Sequence, residues 1–235
     1  PADIAAFAAA LHAELPPLAR ITACESEACA PHADEPAFRI VASDPAGDTR
    51  PEVTPDAATC TACIREIHDP QNRRHRYAFT NCTNCGPRFT IIQDRPYDRP
   101  LTTMSSFKMC PQCETEYHDP MDRRFHAQPN ACPVCGPQLH LIGASGDPFL
   151  VALQSLKDGK FVAIKGLGGF NLACLPESSN RLRQSKHRPN KAFAVMMRDR
   201  SVVEKFCFAD SKEVEWLTSS QAPIVLLRKR TGELD

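Results

Sequence analysis

Cys60-Thr-Ala-Cys63 is followed, after eighteen residues, by Cys82-Thr-Asn-Cys85. The same spacing recurs fifty residues later, between Cys110-Pro-Gln-Cys113 and Cys132-Pro-Val-Cys135. A CxxC turn aims two sulfur atoms at one ion, and we expect the residues between the pairs to form a small hairpin that returns the second pair. The spacing predicts two tetrahedral four-cysteine zinc sites. Their ligands are Cys60, Cys63, Cys82 and Cys85 in the first copy and Cys110, Cys113, Cys132 and Cys135 in the second.

The two predicted sites are closed. Four thiolates complete the shell of a zinc ion and leave no position for water, which is typical of a structural rather than a catalytic ion. Disulfides, free thiols and a rubredoxin-like iron are alternatives, but this spacing favours zinc. Because each set is complete, we expect turn or capping roles for His68 and His118.

The match between the copies extends beyond the cysteines and indicates an internal duplication. Glu66 matches Glu116, and both second pairs are followed by a glycine, Gly86 or Gly136. Such a glycine permits the backbone conformation that directs amide N–H groups at the thiolates.

Paired arginines, Arg73-Arg74 and Arg123-Arg124, also recur in the two copies. They are candidate contacts for phosphate or nucleic acid. The neighbouring Asp69, Asp119 and Asp122 favour local salt bridges instead.

Composition restricts the class of protein. The 235 residues include 28 basic and 28 acidic side chains, which argues against non-specific coating of nucleic acid or anionic membrane. No apolar run reaches the roughly eighteen residues of a membrane helix. The four cysteines outside the CxxC pairs indicate reduced thiols, so we expect a reducing, cytoplasmic setting. The chain starts without Met, which suggests a fragment or a processed protein.

Regular structure is predicted on both sides of the repeats. Residues 3–14 have helical spacing, 19–23 and 38–42 are candidate strands, and 44–59 form a linker. From about residue 147, alternating strands and helices predict an α/β or α+β domain. Its predicted helices are 151–156, 178–187, 201–206 and 213–217, and its predicted strands are 159–164, 192–197 and 223–227.

Two features of this last region are candidates for binding a ligand. Lys165-Gly-Leu-Gly-Gly-Phe170 follows a strand and fits either a tight turn or a ligand close to the backbone. Lys186-His-Arg-Pro-Asn-Lys191 combines cations with a stiffening proline, and fits either a phosphate clamp or a solvated loop.

These residues resemble the HypF family, the carbamoyltransferases of nickel–iron hydrogenase maturation. The resemblance is close over 55–142, in the strings PDAATC (55–60), TNCTNCGPRFTII (80–92), PYDRPLTTM (96–104) and FHAQPNACPVCGP (125–137). It implies an α+β multidomain fold with three parts. These are the end of a ferredoxin-like acylphosphatase domain (1–45), a duplicated four-cysteine zinc module (56–142, copies 60–92 and 110–142) and the N-terminal part of a YrdC-like α/β domain (147–235).

The resemblance also implies a reaction. The parent enzyme would use carbamoyl phosphate and ATP, with Mg²⁺, to form a carbamoyl-adenylate and to carbamoylate the C-terminal cysteine of HypE. By the same likeness, Lys186 and Arg188 would hold nucleotide phosphates or the carbamoyl group, and Lys165 and Lys191 are weaker candidates. No catalytic residue is assigned.

Some residues depart from the family pattern. Asn171 stands where the family has His, Leu175 where it has Asp, and Ala192 where it prefers Pro. We therefore expect this chain alone to be incomplete for catalysis. Alternative interpretations are a non-catalytic zinc-ribbon module that binds nucleic acid or protein, with nucleic acid less favoured, and an antibiotic-pathway O-carbamoyltransferase.

Overall fold

The computed structural model describes residues 2–30 and 52–230, and the chain divides into two compact units, Pro1–Glu52 and Val53–Asp235. In the first unit, helix α1 spans Ala2–Ala13, which confirms the helix predicted from the alanine-rich sequence. Residues 19–23 form no strand, because no described segment of the unit pairs with them. The strand predicted at 38–42 lies outside the described residues.

In the second unit, each cysteine copy begins with a short helix. Helix α2 spans Thr61–His68 and helix α3 spans Pro111–His118. The predicted hairpin between the CxxC pairs is therefore wrong, since the chain forms a helix followed by turns. His68 and His118 end these helices, as expected, and remain exposed.

The turn after each helix is the same in both copies. Arg76 and His126 occupy equivalent positions and both have positive φ, 57° and 50°. Their backbone N–H groups donate to the carbonyls of Ile67 and Tyr117, at 2.8 and 3.0 Å. Because non-glycine residues seldom adopt this conformation, its recurrence supports the duplication.

The hydrophobic core of this part draws residues from both copies and from the segment between them. Tyr77, Ile91, Met104 and Ala131 are buried against one another. The connecting segment contains two 3₁₀ helices, Arg99–Leu101 and Thr103–Ser106.

Buried Arg99 anchors this connection. Its guanidinium donates to the carbonyls of Gln128, Asn130 and Phe107 at 2.6, 2.9 and 2.7 Å. These contacts tie the connecting segment to the second copy.

Residues 148–230 form helices and two small antiparallel pairs of strands. Strand β1 (Val162–Gly166) pairs with β2 (Gly169–Ala173), and Lys165 lies opposite Phe170. Strand β3 (Cys207–Phe208) pairs with β4 (Arg228–Lys229). The helices are α4 Pro148–Lys157, α5 Ser179–Ser185, α6 Arg200–Phe206 and α7 Ser211–Thr218.

Aspartate side chains begin three of these helices. Asp147, Asp199 and Asp210 accept hydrogen bonds from backbone N–H groups of α4, α6 and α7. The helix predictions in this region are confirmed. The strand predictions at 192–197 and 223–227 are wrong. Both segments are extended, but no other described segment pairs with them through backbone hydrogen bonds.

Contacts connect the zinc-site region to the segment that follows. Arg76 forms an ion pair with Asp147 at 3.3 Å, and its guanidinium carbon lies 5.3 Å from the ring centroid of Phe149. Farther on, the N–H of Ala58 donates to the carbonyl of Ser220 at 2.8 Å. Among the described residues, no helix is long and apolar enough to cross a membrane.

The end of the predicted linker belongs to the first cysteine copy. Asp56 accepts hydrogen bonds from the backbone N–H of Arg88 at 2.7 Å and from the hydroxyl of Thr90 at 2.7 Å. Ala57 and Gly86 form an antiparallel bridge. The ordered module thus includes these linker residues.

Candidate metal centres

The first four predicted ligands converge on one point. Cys60 precedes α2 and Cys63 lies in its first turn, while Cys82 and Cys85 lie on a tight turn. The Sγ–Sγ distances are 3.7 Å for Cys60–Cys82, 3.8 Å for Cys82–Cys85 and 3.5 Å for Cys63–Cys85. Three of the four side chains are buried.

The second set repeats this geometry. The Sγ–Sγ distances are 3.8 Å for Cys110–Cys132, 3.8 Å for Cys132–Cys135 and 3.6 Å for Cys113–Cys135. In each set all four sulfur atoms lie within 4.8 Å of one another.

These distances fit zinc. A tetrahedron with metal–sulfur bonds of about 2.3 Å has edges of about 3.8 Å. All twelve cysteines lie within the described residues and are free thiols, so the eight that cluster are available as ligands. Burial would raise the pKa of Cys110, but the backbone N–H of Cys113 and the guanidinium of Arg73 lower it to about 6. These two donors stabilise the thiolate form of Cys110.

The arginines of the first copy contact the cysteines of the second. The guanidinium of Arg73 donates to Cys113 Sγ at 2.8 Å and to Glu116 at 3.1 Å. Arg74 is buried and makes a two-pronged ion pair with Glu116, at 3.0 and 2.5 Å. Its Nε donates to the carbonyl of Ala131 at 2.9 Å.

The arginines of the second copy return the same contacts to the first. Arg123 donates to Cys63 Sγ at 3.2 Å and pairs with Glu66 at 2.6 Å. Arg124 also pairs with Glu66, and its Nε donates to the carbonyl of Asn81 at 3.1 Å. Asn81 and Ala131 are equivalent positions, so the two sets of contacts are related by the duplication.

The arginine pairs keep Glu66 and Glu116 in their ionised form. Burial opposes the charged form, but the arginines of the other copy lower the pKa of Glu116 to about 2. The pKa of Glu66 is lowered in the same way, with burial again opposed by Arg123 and Arg124. Each glutamate thus gives the arginine pair a fixed negative partner beside the cysteine cluster.

The structure corrects the expectation of local salt bridges. The arginine pairs bind glutamates of the opposite copy rather than Asp69, Asp119 or Asp122. Because these guanidinium groups are occupied inside the module, they are poor candidates for contacts to nucleic acid. The matching of Glu66 with Glu116 in the sequence was the signal that could have found these partners.

The two glycines have different roles. Gly86 has φ +93°, as expected for a conformation that favours glycine. The φ of Gly136 is not in that region. A Cβ on Gly136 would lie 2.1 Å from the Tyr77 hydroxyl and 2.5 Å from the Ala131 Cβ, so space is what requires glycine there.

The candidate ligand-binding residues lie on two exposed turns. Lys165 is in β1, where its Nζ donates to the carbonyl of Gly166 at 3.1 Å and lies 5.9 Å from the Phe170 ring centroid. The glycine-rich run forms the tight turn of the β1–β2 hairpin. Lys186, Arg188 and Lys191 are exposed, and their side chains make no hydrogen bond or ion pair within residues 52–230.

Arg183 was not singled out from the sequence, yet it organises the basic loop. Its Nη1 donates to the carbonyls of Arg188 at 2.9 Å and Lys191 at 2.8 Å. Its guanidinium carbon also lies 4.7 Å from the ring centroid of Phe193. By binding these carbonyls it leaves the loop cations directed outward to solvent.

The fold and the cysteine centres define a protein with two structural four-cysteine zinc sites followed by helices and small antiparallel strand pairs. The family described as HypF finger matches residues 59–92 and 109–142, and the family described as telomere recombination (Sua5, YciO, YrdC) matches 154–235. The chain belongs to the HypF family.

Relatives support this placement. The chain is 49% identical over 234 residues to carbamoyltransferase HypF2 of Cupriavidus necator, a match that covers 94% of this chain and 29% of the relative. Carbamoyltransferase HypF of Rhodobacter capsulatus is 48% identical over 236 residues, covering 97% of this chain and 31% of the relative. The chain thus spans about a third of the length of these curated relatives.

Two solved structures of HypF proteins are also similar to this chain. A crystal structure of full-length HypF in a phosphate- and nucleotide-bound form has a TM-score of 0.87 and 46% identity, and the match covers 99% of this chain and 31% of that one. The crystal structure of T. kodakarensis HypF has a TM-score of 0.75 and 43% identity, with 97% and 30% covered.

Proposed function

We propose that this chain is the central part of a HypF-type carbamoyltransferase. The main support is its 48–51% identity to three curated carbamoyltransferases of this family. In the complete enzyme, carbamoyl phosphate and ATP would be the substrates, Mg²⁺ would accompany ATP, and a HypE-type maturation protein would accept the carbamoyl group on its C-terminal cysteine. The free thiols and four-cysteine centres suit a reducing compartment, so we propose the cytoplasm.

Three parts are proposed along the chain. Residues 1–45 would end an acylphosphatase-like domain, 56–142 would form the zinc module, and 147–235 would begin the YrdC-like domain. The helix at Ala2–Ala13 is compatible with the first assignment. The contacts of Asp56 with Arg88 and Thr90 support a module boundary near residue 56.

The zinc module would act as a rigid spacer between catalytic domains. Closed four-thiolate sites have no position for substrate, and they stabilise a segment with a small apolar core. Ion pairing of Arg76 with Asp147 and the Ala58–Ser220 hydrogen bond hold the following segment against this module. Transfer between the flanking active sites that survives loss of a zinc site in a folded enzyme would contradict the spacer role.

The basic loop is the proposed site for nucleotide phosphates or the carbamoyl group. Lys186 and Lys191 supply compact charges, while Arg188 supplies a planar fork suited to two phosphate oxygens. Their exposure and the loop conformation held by Arg183 support this role. Lys165 is a weaker candidate, because its ammonium group is already engaged by its own hairpin.

Carbamoyl-phosphate-dependent ATP–pyrophosphate exchange by the full-length enzyme tests this assignment. Lys186→Gln and Arg188→Gln should each reduce exchange by about tenfold or more, because a charge-assisted contact to phosphate is lost. Lys205→Gln, an exposed lysine on α6, is the matched control and should leave exchange unchanged. Exchange at the parental rate in both loop variants would reject the proposed site.

A further inference from the structure

We infer that the two metal centres form one coupled unit, in which the arginine pair of each copy helps to retain the zinc ion of the other. The contacts that carry this inference are reciprocal. Arg73 lies 2.8 Å from Cys113 Sγ, and Arg123 lies 3.2 Å from Cys63 Sγ. The inference concerns the stability of the centres and does not depend on the reaction.

Charge gives the first reason for coupling. Four thiolates around a divalent zinc ion leave a net charge of about −2, which is costly where most ligands are buried. The guanidinium groups of Arg73 and Arg123 contact these sulfur atoms, and that of Arg74 lies 3.6 Å from Cys113 Sγ. Each centre therefore depends for charge compensation on a side chain supplied by the other copy.

Chain geometry gives the second reason. The backbone N–H of Arg76 bonds to the carbonyl of Ile67 in α2, and the N–H of Arg74 bonds to the Asn72 side chain. This turn is thus fixed to a helix whose first turn contains Cys63. Loss of zinc from the first site would free α2 and displace Arg73 and Arg74 from the second site.

The turn between Cys82 and Cys85 of the first copy is hydrogen-bonded to the second copy. Thr83, between Cys82 and Cys85, donates both its backbone N–H and its hydroxyl to the carbonyl of Arg123, at 3.1 and 2.7 Å. The position of Arg123 is therefore sensitive to the second cysteine pair of the first site as well as to α3. Movement of the first centre is therefore transmitted through Thr83 to Arg123 of the second copy.

Pulsed alkylation of the zinc-loaded full chain in the presence of a competing chelator, read by peptide mass spectrometry, identifies which cysteines are released first. Arg73→Gln should speed labelling of the second-copy cysteines by about tenfold or more, ahead of those in its own copy. Arg123→Gln should show the reverse order. Arg73→Lys should restore part of the protection, because it retains the charge but loses the planar fork.

Arg200→Gln is the control and should leave labelling unchanged, since Arg200 forms an exposed ion pair with Glu204, far along the chain from the cysteine copies. Acceleration confined to the cysteines of the variant's own copy, or labelling of all cysteines at the parental rate, would each overturn the inference.

Native mass spectrometry of the unsubstituted chain gives an independent measurement, even where a variant does not fold. During chelator titration, coupled centres should pass from two zinc ions to none with little one-zinc species. Accumulation of the one-zinc species to the level expected for independent sites would overturn the inference.

Discussion

Replacement of Arg74 by methionine probes the buried ion pair that links the two cysteine copies. The side chain of Arg74 is 2% exposed and its guanidinium binds Glu116 through two hydrogen bonds, with a third to Asn130 at 3.0 Å. Methionine keeps much of the apolar stem but removes every donor. Glu116 then retains Arg73 as its cation.

The expected loss follows from the state of Glu116. Its pKa falls from 4.5 to about 2, against the opposing effect of burial, because of Arg74 and then Arg73. A lowered carboxyl pKa stabilises the folded state above pH 4.5, and this contribution is lost as the pH falls towards 2. A shift of this size corresponds to roughly 3 kcal/mol at neutral pH. Removing one partner of a buried pair costs about 3–5 kcal/mol, so we expect a loss of about 3 kcal/mol.

Urea unfolding at pH 7 with zinc present, followed by circular dichroism, measures this loss. Arg200→Gln breaks an exposed i,i+4 pair and should cost no more than about 0.5 kcal/mol. The double variant Arg74→Met with Glu116→Gln should cost less than the sum of the single variants, because the two side chains interact directly. A cost for Arg74→Met as small as that of Arg200→Gln would refute the reasoning.

Three further predictions can be checked with simple measurements. Elemental analysis should find about two zinc ions per chain, and a chelator that removes them should abolish the helical circular dichroism of the module. Gly136→Ala should lower the free energy of unfolding by about 2 kcal/mol through its clash with Tyr77, whereas Gly168→Ala, which has no atom within 4 Å of the added Cβ, should have little effect in the same urea assay. Arg99→Met should lower the thermal midpoint by several degrees, because two buried carbonyls and one partly buried carbonyl lose their donor at a cost of about 2–4 kcal/mol.

Local patterns allowed much of the fold to be predicted. The helices at Ala2–Ala13, Pro148–Lys157 and Ser211–Thr218 follow from composition, spacing and capping residues close in the chain. The strands predicted at 192–197 and 223–227 failed, since a strand exists only where another segment supplies its hydrogen bonds. That partner is not encoded in the segment itself.

The metal centres likewise combine features that local sequence predicts with contacts that depend on tertiary packing. Cysteine spacing was enough to predict the two groups of four cysteines that converge in the structure, because a CxxC turn has few geometries and each group is completed within one copy. The paired arginines were recognised but assigned the wrong neighbours. Their glutamate partners lie 42 and 58 positions away in the chain, and only the packing of one copy on the other brings them together.

The sequence by itself determined the doubled four-cysteine pattern, the duplication and the resemblance to a carbamoyltransferase family, because these reside in residue identity and short spacing. Only the tertiary structure decided that Arg73 and Arg123 lie against the cysteines of the opposite copy. The physical reason is that charge compensation of a buried thiolate cluster depends on distance in space. In this chain the cations at that distance come from the other half of the repeat.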